Sequence, residues 1–266
     1  MGTEREEGQE CSVDITRGQP AHGSFSLGPK LGSLLALPAS VAGFEGAVAS
    51  PANQGYTVYL CDFAQQPRIR TRLFGHTGIV AQLNASEALP HLLASASHDS
   101  SAKIWDLRTE SAVCTLESRT YDSLAAVALC APGGSYPLCF TGGDNECVQA
   151  WDLRMMRGLY ELSTGNNEPA ALYWHEVSQS LLAVTDCMHI TGHGFGPGYV
   201  DVSDEEGGEG PNATDYRWPG EAKHSVHAFR ARWDVGYQSF IRYTFSRSPA
   251  GAVPESSQPP RSFFSF

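Results

Sequence analysis

A repeated stretch that ends in Trp-Asp-Leu-Arg constrains the fold of this chain more than any other feature. The two copies end at residues 105–108 and 151–154, so their tryptophans stand 46 residues apart. A weaker copy precedes them, since Cys61-Asp62 lies 44 residues before Trp105-Asp106. A fixed period of this length is typical of chains that use one supersecondary unit several times.

Each period contains four short runs with the composition of β-strands. In the best copy these are the runs 78–83, 91–97, 101–107 and 111–116, and in the next copy 123–130, 136–142, 146–153 and 158–162. Gly, Asn, Asp, Ser or Pro separates the runs, as expected for turns between strands. Four short strands per period is the pattern of a propeller blade.

The repeat is similar to the WD40 repeat. His76 of the pair Gly75-His76 comes 29 residues before Trp105 of the pair Trp105-Asp106, and the repeat 72–116 is a near-complete match. The resemblance implies an all-β, WD40-type β-propeller, partial or divergent, with about four to five recognisable blades. It also implies a hydrogen-bonded tetrad inside the blade, in which buried polar groups satisfy one another. Its members would be His76, Ser95, Asp99 and Trp105.

The following repeat departs from this pattern. Ser118-Arg119 stands where Gly-His would stand, although Thr141, Asp144 and Trp151 keep the other three tetrad positions. Its turn also holds one more residue, because Asp144 and Trp151 are 7 positions apart against 6 for Asp99 and Trp105. We therefore expect a blade held mainly by apolar packing.

Composition divides the chain into five ranges. We predict a flexible acidic and polar tail over 1–38, propeller blades over 39–200, an acidic loop over 201–220, candidate closing strands over 221–246 and a Pro/Ser-rich tail over 247–266. At about 40–45 residues per blade, the blade ranges hold roughly four blades, fewer than most WD40 rings carry.

Three explanations of the short ring stay open. The chain is a shortened product of a longer propeller, or an open stack that another chain or a second copy completes, or a ring that 221–246 closes. The last explanation uses Phe240, Tyr243 and Phe245 as candidate inward anchors.

Charge and hydropathy exclude several classes of partner. The net charge is −11, and a protein that follows nucleic-acid phosphates needs a basic stripe. No apolar run reaches the roughly 20 residues that span a bilayer, and the acidic start does not read as a signal peptide. We therefore expect protein partners, no nucleic acid, no membrane, and a cytoplasmic and/or nuclear location.

The sequence offers one group of candidate metal ligands. Asp186, Cys187, His189 and His193 could supply zinc ligands, but their spacing matches no known closed zinc site. No paired carboxylates stand in a recognisable catalytic frame. We therefore predict no enzyme activity, no metal and no cofactor.

Arg108 and Arg154 end the two Trp-Asp-Leu-Arg copies, so the repeat places them at equivalent points on one face of the ring. Paired motifs of this kind resemble those of the substrate receptors of cullin-RING ubiquitin ligases, where they mark the edge that docks onto the adaptor protein. The planar fork of arginine pairs two acceptors at once and suits interface hot spots. Alternatively, each arginine caps a strand end by pairing with a nearby Asp, as in WD40 repeats generally.

These features predict a non-catalytic protein-interaction scaffold. The specific hypothesis is a substrate receptor that meets an adaptor through Arg108 and Arg154. The alternatives are a generic WD40 scaffold subunit of another assembly and a truncated propeller that needs a partner to complete its ring.

Overall fold

Antiparallel β-sheets form nearly all the regular structure of this chain. The computed structural model describes residues 31–37, 46–51, 56–63, 68–118, 120–134, 136–189, 198–202, 216–230 and 232–245. Within these ranges the architecture is a partial WD40-type propeller, an arc of sheets that does not close into a barrel.

The first three sheets each contain four strands that pair in chain order. Sheet 1 consists of β1 (Leu31–Leu37), β2 (Gly46–Pro51), β3 (Val58–Asp62) and β4 (Arg68–Leu73). Sheet 2 consists of β5 (Val80–Ala85), β6 (Leu92–Ser97), β7 (Ser101–Asp106) and β8 (Ser111–Glu117). Sheet 3 consists of β9 (Leu124–Cys130), β10 (Leu138–Gly143), β11 (Cys147–Asp152) and β12 (Arg157–Ser163).

The last part of the chain is less regular. Sheet 4 consists of β13 (Glu168–His175), β14 (Ser180–Asp186) and β17 (Ser239–Thr244). Between β14 and β17 lies a hairpin of β15 (Tyr199–Val202) and β16 (Tyr216–Pro219). Two short 3-10 turns are Pro132–Gly134 and Ala228–Arg230.

Three apolar cores lie between the four sheets, and alternation along each strand divides its side chains between them. On β7, Ile104 packs with sheet 3, whereas its neighbour Trp105 packs with sheet 1. On β11, Trp151 packs with sheet 2, whereas Ala150 faces sheet 4. Each sheet inside the arc therefore buries both faces, as blades of a propeller do.

The first strands of sheets 2, 3 and 4 converge on the axis of the arc, where Gln82 on β5 connects them. Its Oε1 accepts the backbone N–H of Val127 on β9 at 2.8 Å and that of Leu172 on β13 at 3.4 Å. Its Nε2 donates to the Leu172 carbonyl at 3.0 Å. Nearby, Asn84 Oδ1 accepts the Leu129 N–H at 2.8 Å. These amides thus satisfy backbone groups on the inner edges of β9 and β13.

The eight strands predicted for the second and third repeats are present as β5 to β12. Cys61-Asp62 ends β3, at the place where Trp-Asp ends β7 and β11. The period read from the sequence therefore corresponds to one sheet per repeat.

The predicted range boundaries need correction at three places. β1 lies inside 1–38, which was predicted as a tail, because its leucines pair with β2 and Leu37 is buried in the core between sheets 1 and 2. β15 and β16 frame the predicted loop 201–220 as a hairpin, and residues 203–215 lie outside the described ranges. The predicted tail 247–266 lies outside them too.

The third correction concerns the predicted closing strands in 221–246. One strand forms there, β17, and it pairs with β14 as the third strand of sheet 4 instead of closing onto sheet 1. Tyr243 and Phe245 pack against the core of sheets 3 and 4 as expected. Phe240 was wrongly predicted to face inward: it alternates with the buried Ile241 and is exposed.

Replacing Gln82 with Ala should lower the free energy of unfolding by about 1–3 kcal/mol, because buried backbone groups of Val127 and Leu172 lose their partner. Urea unfolding followed by tryptophan fluorescence measures the change. Gln238, an exposed glutamine whose amide donates to Asp186, provides a matched control, and its Ala variant should stay within about 0.5 kcal/mol of the parent. Equal, small effects of both substitutions would contradict the role of Gln82.

Candidate protein-interaction site

In sheet 2 the structure brings His76, Ser95, Asp99 and Trp105 into one chain of hydrogen bonds. Trp105 Nε1 donates to Ser95 Oγ at 2.8 Å, and Ser95 Oγ lies 2.8 Å from His76 Nε2. His76 Nδ1 lies 2.9 Å from Asp99 Oδ2. Since the indole is a donor only, the Ser95 hydroxyl donates onward to Nε2, and Nδ1–H donates to the carboxylate. The four side chains join the segment before β5 to the β6–β7 turn.

The electrostatics of this hydrogen-bonded tetrad favour a neutral His76 imidazole beside an ionised Asp99 carboxylate. Burial lowers the pKa of His76 and outweighs the hydrogen bond and charge of Asp99, which raise it. Burial alone would raise the pKa of Asp99, but hydrogen bonds from the Ser101 hydroxyl, the Thr77 N–H and His76 hold it at about 2. The donor and the acceptor in each hydrogen bond are therefore the ones that a neutral histidine requires.

Sheet 3 contains a shorter version of this hydrogen-bond network. Trp151 Nε1 donates to Thr141 Oγ1 at 2.9 Å, so these two predicted residues meet. The Asp144 carboxylate bonds neither of them within the described residues; its backbone N–H donates to the Ser123 carbonyl at 3.1 Å. Burial, aided by the charge of Asp122, raises the pKa of Asp144. Among the residues that the structure describes, no histidine bonds Thr141 in the way that His76 bonds Ser95 in sheet 2.

The β10–β11 turn of sheet 3 has three residues, as the β6–β7 turn of sheet 2 does, and it holds a buried polar cluster that the sequence did not predict. Glu146 is buried at a backbone φ of 53°, and its two carboxylate oxygens accept from His189 Nε2 and from the Lys223 N–H, each at 2.8 Å. The adjacent Asn145 carbonyl accepts from His224 Nε2 at 2.8 Å. The predicted extra turn residue is wrong: Thr141 and Trp151 are 10 positions apart, as Ser95 and Trp105 are, so Asn145 and not Asp144 stands at the position of Asp99. No sequence signal connected residue 146 to residues 189 and 223.

The candidate zinc ligands do not come together as a metal site. His189 bonds Glu146, while Asp186 Oδ1 accepts from the Cys187 N–H and from Gln238 Nε2. His193 lies outside the described ranges. Where the structure describes the chain, no group of three or more His, Cys, Asp or Glu side chains could hold a metal ion.

Arg108 and Arg154 occupy equivalent positions in the β7–β8 and β11–β12 turns. Each guanidinium forms a two-pronged pair with the Asp two residues earlier: Nε and Nη2 of Arg108 lie 3.0 and 2.6 Å from the oxygens of Asp106. The corresponding distances from Arg154 to Asp152 are 3.2 and 2.8 Å. The hydrogen bonds from Arg108 hold the pKa of Asp106 at about 2. We refer to the end of the sheets that carries the β7–β8 and β11–β12 turns as the arginine end.

The arginine end exposes both guanidinium groups and several large apolar side chains. Arg108 and Arg154 have 66% and 49% of their side-chain surface exposed. The Arg154 guanidinium lies 4.6 Å from the centre of the Tyr136 ring. Exposed large apolar side chains on the turns at this end are Tyr136, Met155, Met156 and Val177. Gln179 Oε1 accepts the Gly133 N–H at 3.2 Å and connects two of these turns.

Sheet 4 leaves an apolar face uncovered at the end of the arc. Tyr173, Val184 and Phe240 are exposed on the side away from sheet 3, and Val184 and Phe240 are direct cross-strand neighbours. Within the described residues, no strand pairs with the free edge of β17. This face has the character of a blade surface without its neighbour.

Among the described residues, no helix has the length and apolar character needed to cross a membrane.

Comparison with known proteins finds similarity over short segments. No protein-family model matches the chain. Over 80 residues, the chain is 35% identical to the pre-mRNA-splicing factor cwf17 of Schizosaccharomyces pombe, covering 30% of the chain and 22% of that protein. Over 49 residues, it is 41% identical to the ribosome biogenesis protein YTM1 of Meyerozyma guilliermondii, covering 18% of the chain and 11% of that protein.

A second YTM1, from Lodderomyces elongisporus, is 40% identical over 48 residues, or 18% of the chain and 10% of that protein. The chain thus matches between about a tenth and a fifth of the length of these curated relatives.

Replacing His76 with Ala should lower the free energy of unfolding by about 1–3 kcal/mol, because Ser95 and Asp99 lose a buried partner. Thermal and urea unfolding measure the change. His98 is exposed in the β6–β7 turn next to Asp99 and provides the control. We expect its Ala variant to lose less than about 0.5 kcal/mol of the free energy of unfolding. An unfolding midpoint in the His76 variant equal to that of the parent would mean that the tetrad contributes no stability.

The stability difference between the parent and the His76→Ala variant should shrink as the pH falls. The folded-state pKa of His76 lies below its ordinary value of 6.5, so the unfolded chain binds more protons in this range. The stabilisation is fully present above about pH 6.5 and is lost as the pH falls through that value towards the folded pKa. Urea titrations of both proteins between pH 5 and 8 test this, and a difference that grows on acidification would contradict a neutral His76.

Proposed function

We propose that this chain is a non-catalytic protein-interaction scaffold of the WD40 type, which docks a partner protein through its arginine end. The observation that carries the proposal is the pair of equivalent, exposed guanidinium groups of Arg108 and Arg154 beside exposed Met and Tyr side chains. Arginine, methionine and tyrosine are enriched in protein interfaces.

The pairing of each arginine with its own aspartate is the strand-end contact that the alternative interpretation predicts, and it also orients each guanidinium towards a partner. A guanidinium held in two hydrogen bonds by Asp106 or Asp152 keeps one orientation. A partner therefore meets side chains that lose little further rotamer freedom on binding. The remaining N–H donors of both forks are available to a carboxylate of a partner. The Tyr136 ring covers one face of the Arg154 guanidinium, so an aromatic ring of the partner suits the Arg108 guanidinium better.

The first specific candidate is a substrate receptor of a cullin-RING ubiquitin ligase. The paired Trp-Asp-Leu-Arg motifs favour it, because the two arginines of that motif lie on turns at the same end of neighbouring sheets. In this role the arginine end docks onto the adaptor, and another surface of the arc holds the substrate.

The second candidate is a scaffold subunit of an RNA-processing assembly. The similarity to segments of a pre-mRNA-splicing factor and of two ribosome biogenesis proteins favours it. In this role the same arginine end contacts a neighbouring subunit. A nuclear location belongs to this candidate, because pre-mRNA splicing takes place in the nucleus.

We also propose that a partner packs against the exposed apolar face of sheet 4 and so extends the arc. Tyr173, Val184 and Phe240 form an apolar surface of the kind that buries against a neighbouring blade. A sheet supplied by another chain or a second copy would cover it.

Affinity capture from cell extract tests the docking role of the arginine end. We expect the Arg108→Ala/Arg154→Ala protein to lose at least one partner that the parent retains, identified by mass spectrometry. The matched control is Arg68→Ala/Arg217→Ala, which removes two exposed arginines that also pair with nearby aspartates. It should retain the partners of the parent.

The identity of the lost partner separates the two candidates. A cullin-RING adaptor supports the ligase role, and a splicing or ribosome biogenesis protein supports the assembly role. Identical partners for the parent and the Arg108/Arg154 variant would contradict docking at the arginine end.

A further inference from the structure

A pocket of about 260 Å³ opens beside β11 and β12 of sheet 3. Its charged and amide lining consists of two carboxylates, one ammonium group, two amides and one imidazole: Asp122, Glu161, Lys223, Asn145, Gln149 and His224. A second depression of about 290 Å³ shares Gln149 and Glu161 with it and continues along the same strands to Phe229. We refer to the first of these as the Gln149 pocket.

Two buried side chains in the Gln149 pocket have unpaired polar atoms. Asn145 is 3% exposed, and within the described chain neither its Oδ1 nor its Nδ2 has a hydrogen-bond partner. Gln149 is 5% exposed, and its Oε1 is likewise unpaired. A buried polar atom without a partner costs stability. In a binding pocket such atoms are groups that a ligand can satisfy.

The orientation of the Gln149 amide follows from its neighbour. Its Nε2 lies 3.4 Å from Glu161 Oε1, and a carboxylate can only accept. The amide nitrogen therefore faces Glu161, and the unpaired atom is the carbonyl oxygen. The exposed carboxylate of Glu161 thus lies next to two unpaired amide oxygens, of Asn145 and Gln149, which are almost fully covered in the free protein.

The charges around the pocket favour a cation. Asp122 and Glu161 are acidic, and the Lys223 ammonium lies 3.4 Å from Asp122. The neighbouring acceptors, which are two amide oxygens and a carboxylate, suit a ligand that has several N–H donors in one plane. Guanidinium has five N–H donors in such a fork, whereas ammonium is a compact point charge.

We propose that the Gln149 pocket binds an arginine side chain of a partner protein. The guanidinium donates first to the exposed Glu161 carboxylate, and it reaches Gln149 Oε1 and Asn145 Oδ1, which are covered in the free protein, when these two side chains turn towards it. The net charge of −11 attracts a basic partner surface. The site lies on the strands of sheet 3 and not on the turns of the arginine end, so it is independent of the proposed docking there.

Titration of the full chain with short peptides tests this assignment. The probes are acetyl-Gly-Arg-Gly-amide, the same peptide with citrulline, which keeps the shape without the charge, and the same peptide with lysine. Nuclear magnetic resonance of the side-chain amides reports on Asn145 and Gln149 directly and also measures weak affinity. We expect the arginine peptide to shift both amides, and the citrulline and lysine peptides to bind at least about tenfold more weakly.

Two variants make the test specific. Glu161→Gln removes an exposed carboxylate and should weaken the arginine peptide about tenfold, while Glu117→Gln, on the corresponding outer strand of sheet 2, should leave its affinity unchanged. Gln149→Met removes the unpaired oxygen at similar volume and should abolish binding without lowering the melting temperature.

Other results overturn the assignment. Equal binding of the lysine or citrulline peptide contradicts recognition of a guanidinium. Absence of binding, or binding that neither Glu161→Gln nor Gln149→Met alters, contradicts a site in this pocket.

Discussion

Each sheet of this protein buries its two faces only against its neighbours, and the rest of the structure depends on this constraint. A single four-stranded sheet of this size has two faces and no core of its own. The alternation of Ile104 and Trp105 on β7 shows the consequence, since adjacent residues contribute to different cores. Gln82 adds a polar connection where the inner strands meet. The sheets therefore stabilise one another, and we expect no single blade to be stable by itself.

Polar side chains inside the arc follow a second constraint, which is that each buried donor needs an acceptor. Sheet 2 meets it within one blade, through His76, Ser95 and Trp105. Sheet 3 has no histidine at that position. Its β10–β11 turn instead holds the buried Glu146, which bonds His189 and the Lys223 N–H, two groups that lie far along the chain. The loss of an internal connection thus coincides with a connection to the segments that follow β14.

The sequence predicted those parts of the fold that depend on local period and local chemistry. Turns and alternation placed β5 to β12, and the Gly-His to Trp-Asp spacing identified the residues that meet in sheet 2. The role of β1 was missed, because a short leucine-rich run next to a polar tail becomes a strand only through pairing with β2. The pairing of β17 with β14 was missed for the same reason, since the two strands are separated by a hairpin. The cluster at Glu146 and the Gln149 pocket depend on contacts between distant segments that no local pattern encodes.

The proposed function rests on surfaces that this architecture leaves exposed. The arginine end presents two oriented guanidinium groups, and the face of sheet 4 presents apolar side chains. Within the described residues, the interior holds no group of titratable side chains arranged around a metal. Binding surfaces on a rigid arc suit a protein that holds other proteins together.

Native-state hydrogen exchange of the inner-strand amides tests the central claim most directly. The amides of Val127 on β9 and Leu172 on β13 both meet Gln82 on β5, so we predict that they exchange only through one shared opening with the free energy of global unfolding. Exchange of Leu172 at a much lower free energy than Val127, with a different denaturant dependence, would show that sheet 4 opens independently and would contradict an arc that folds as one unit.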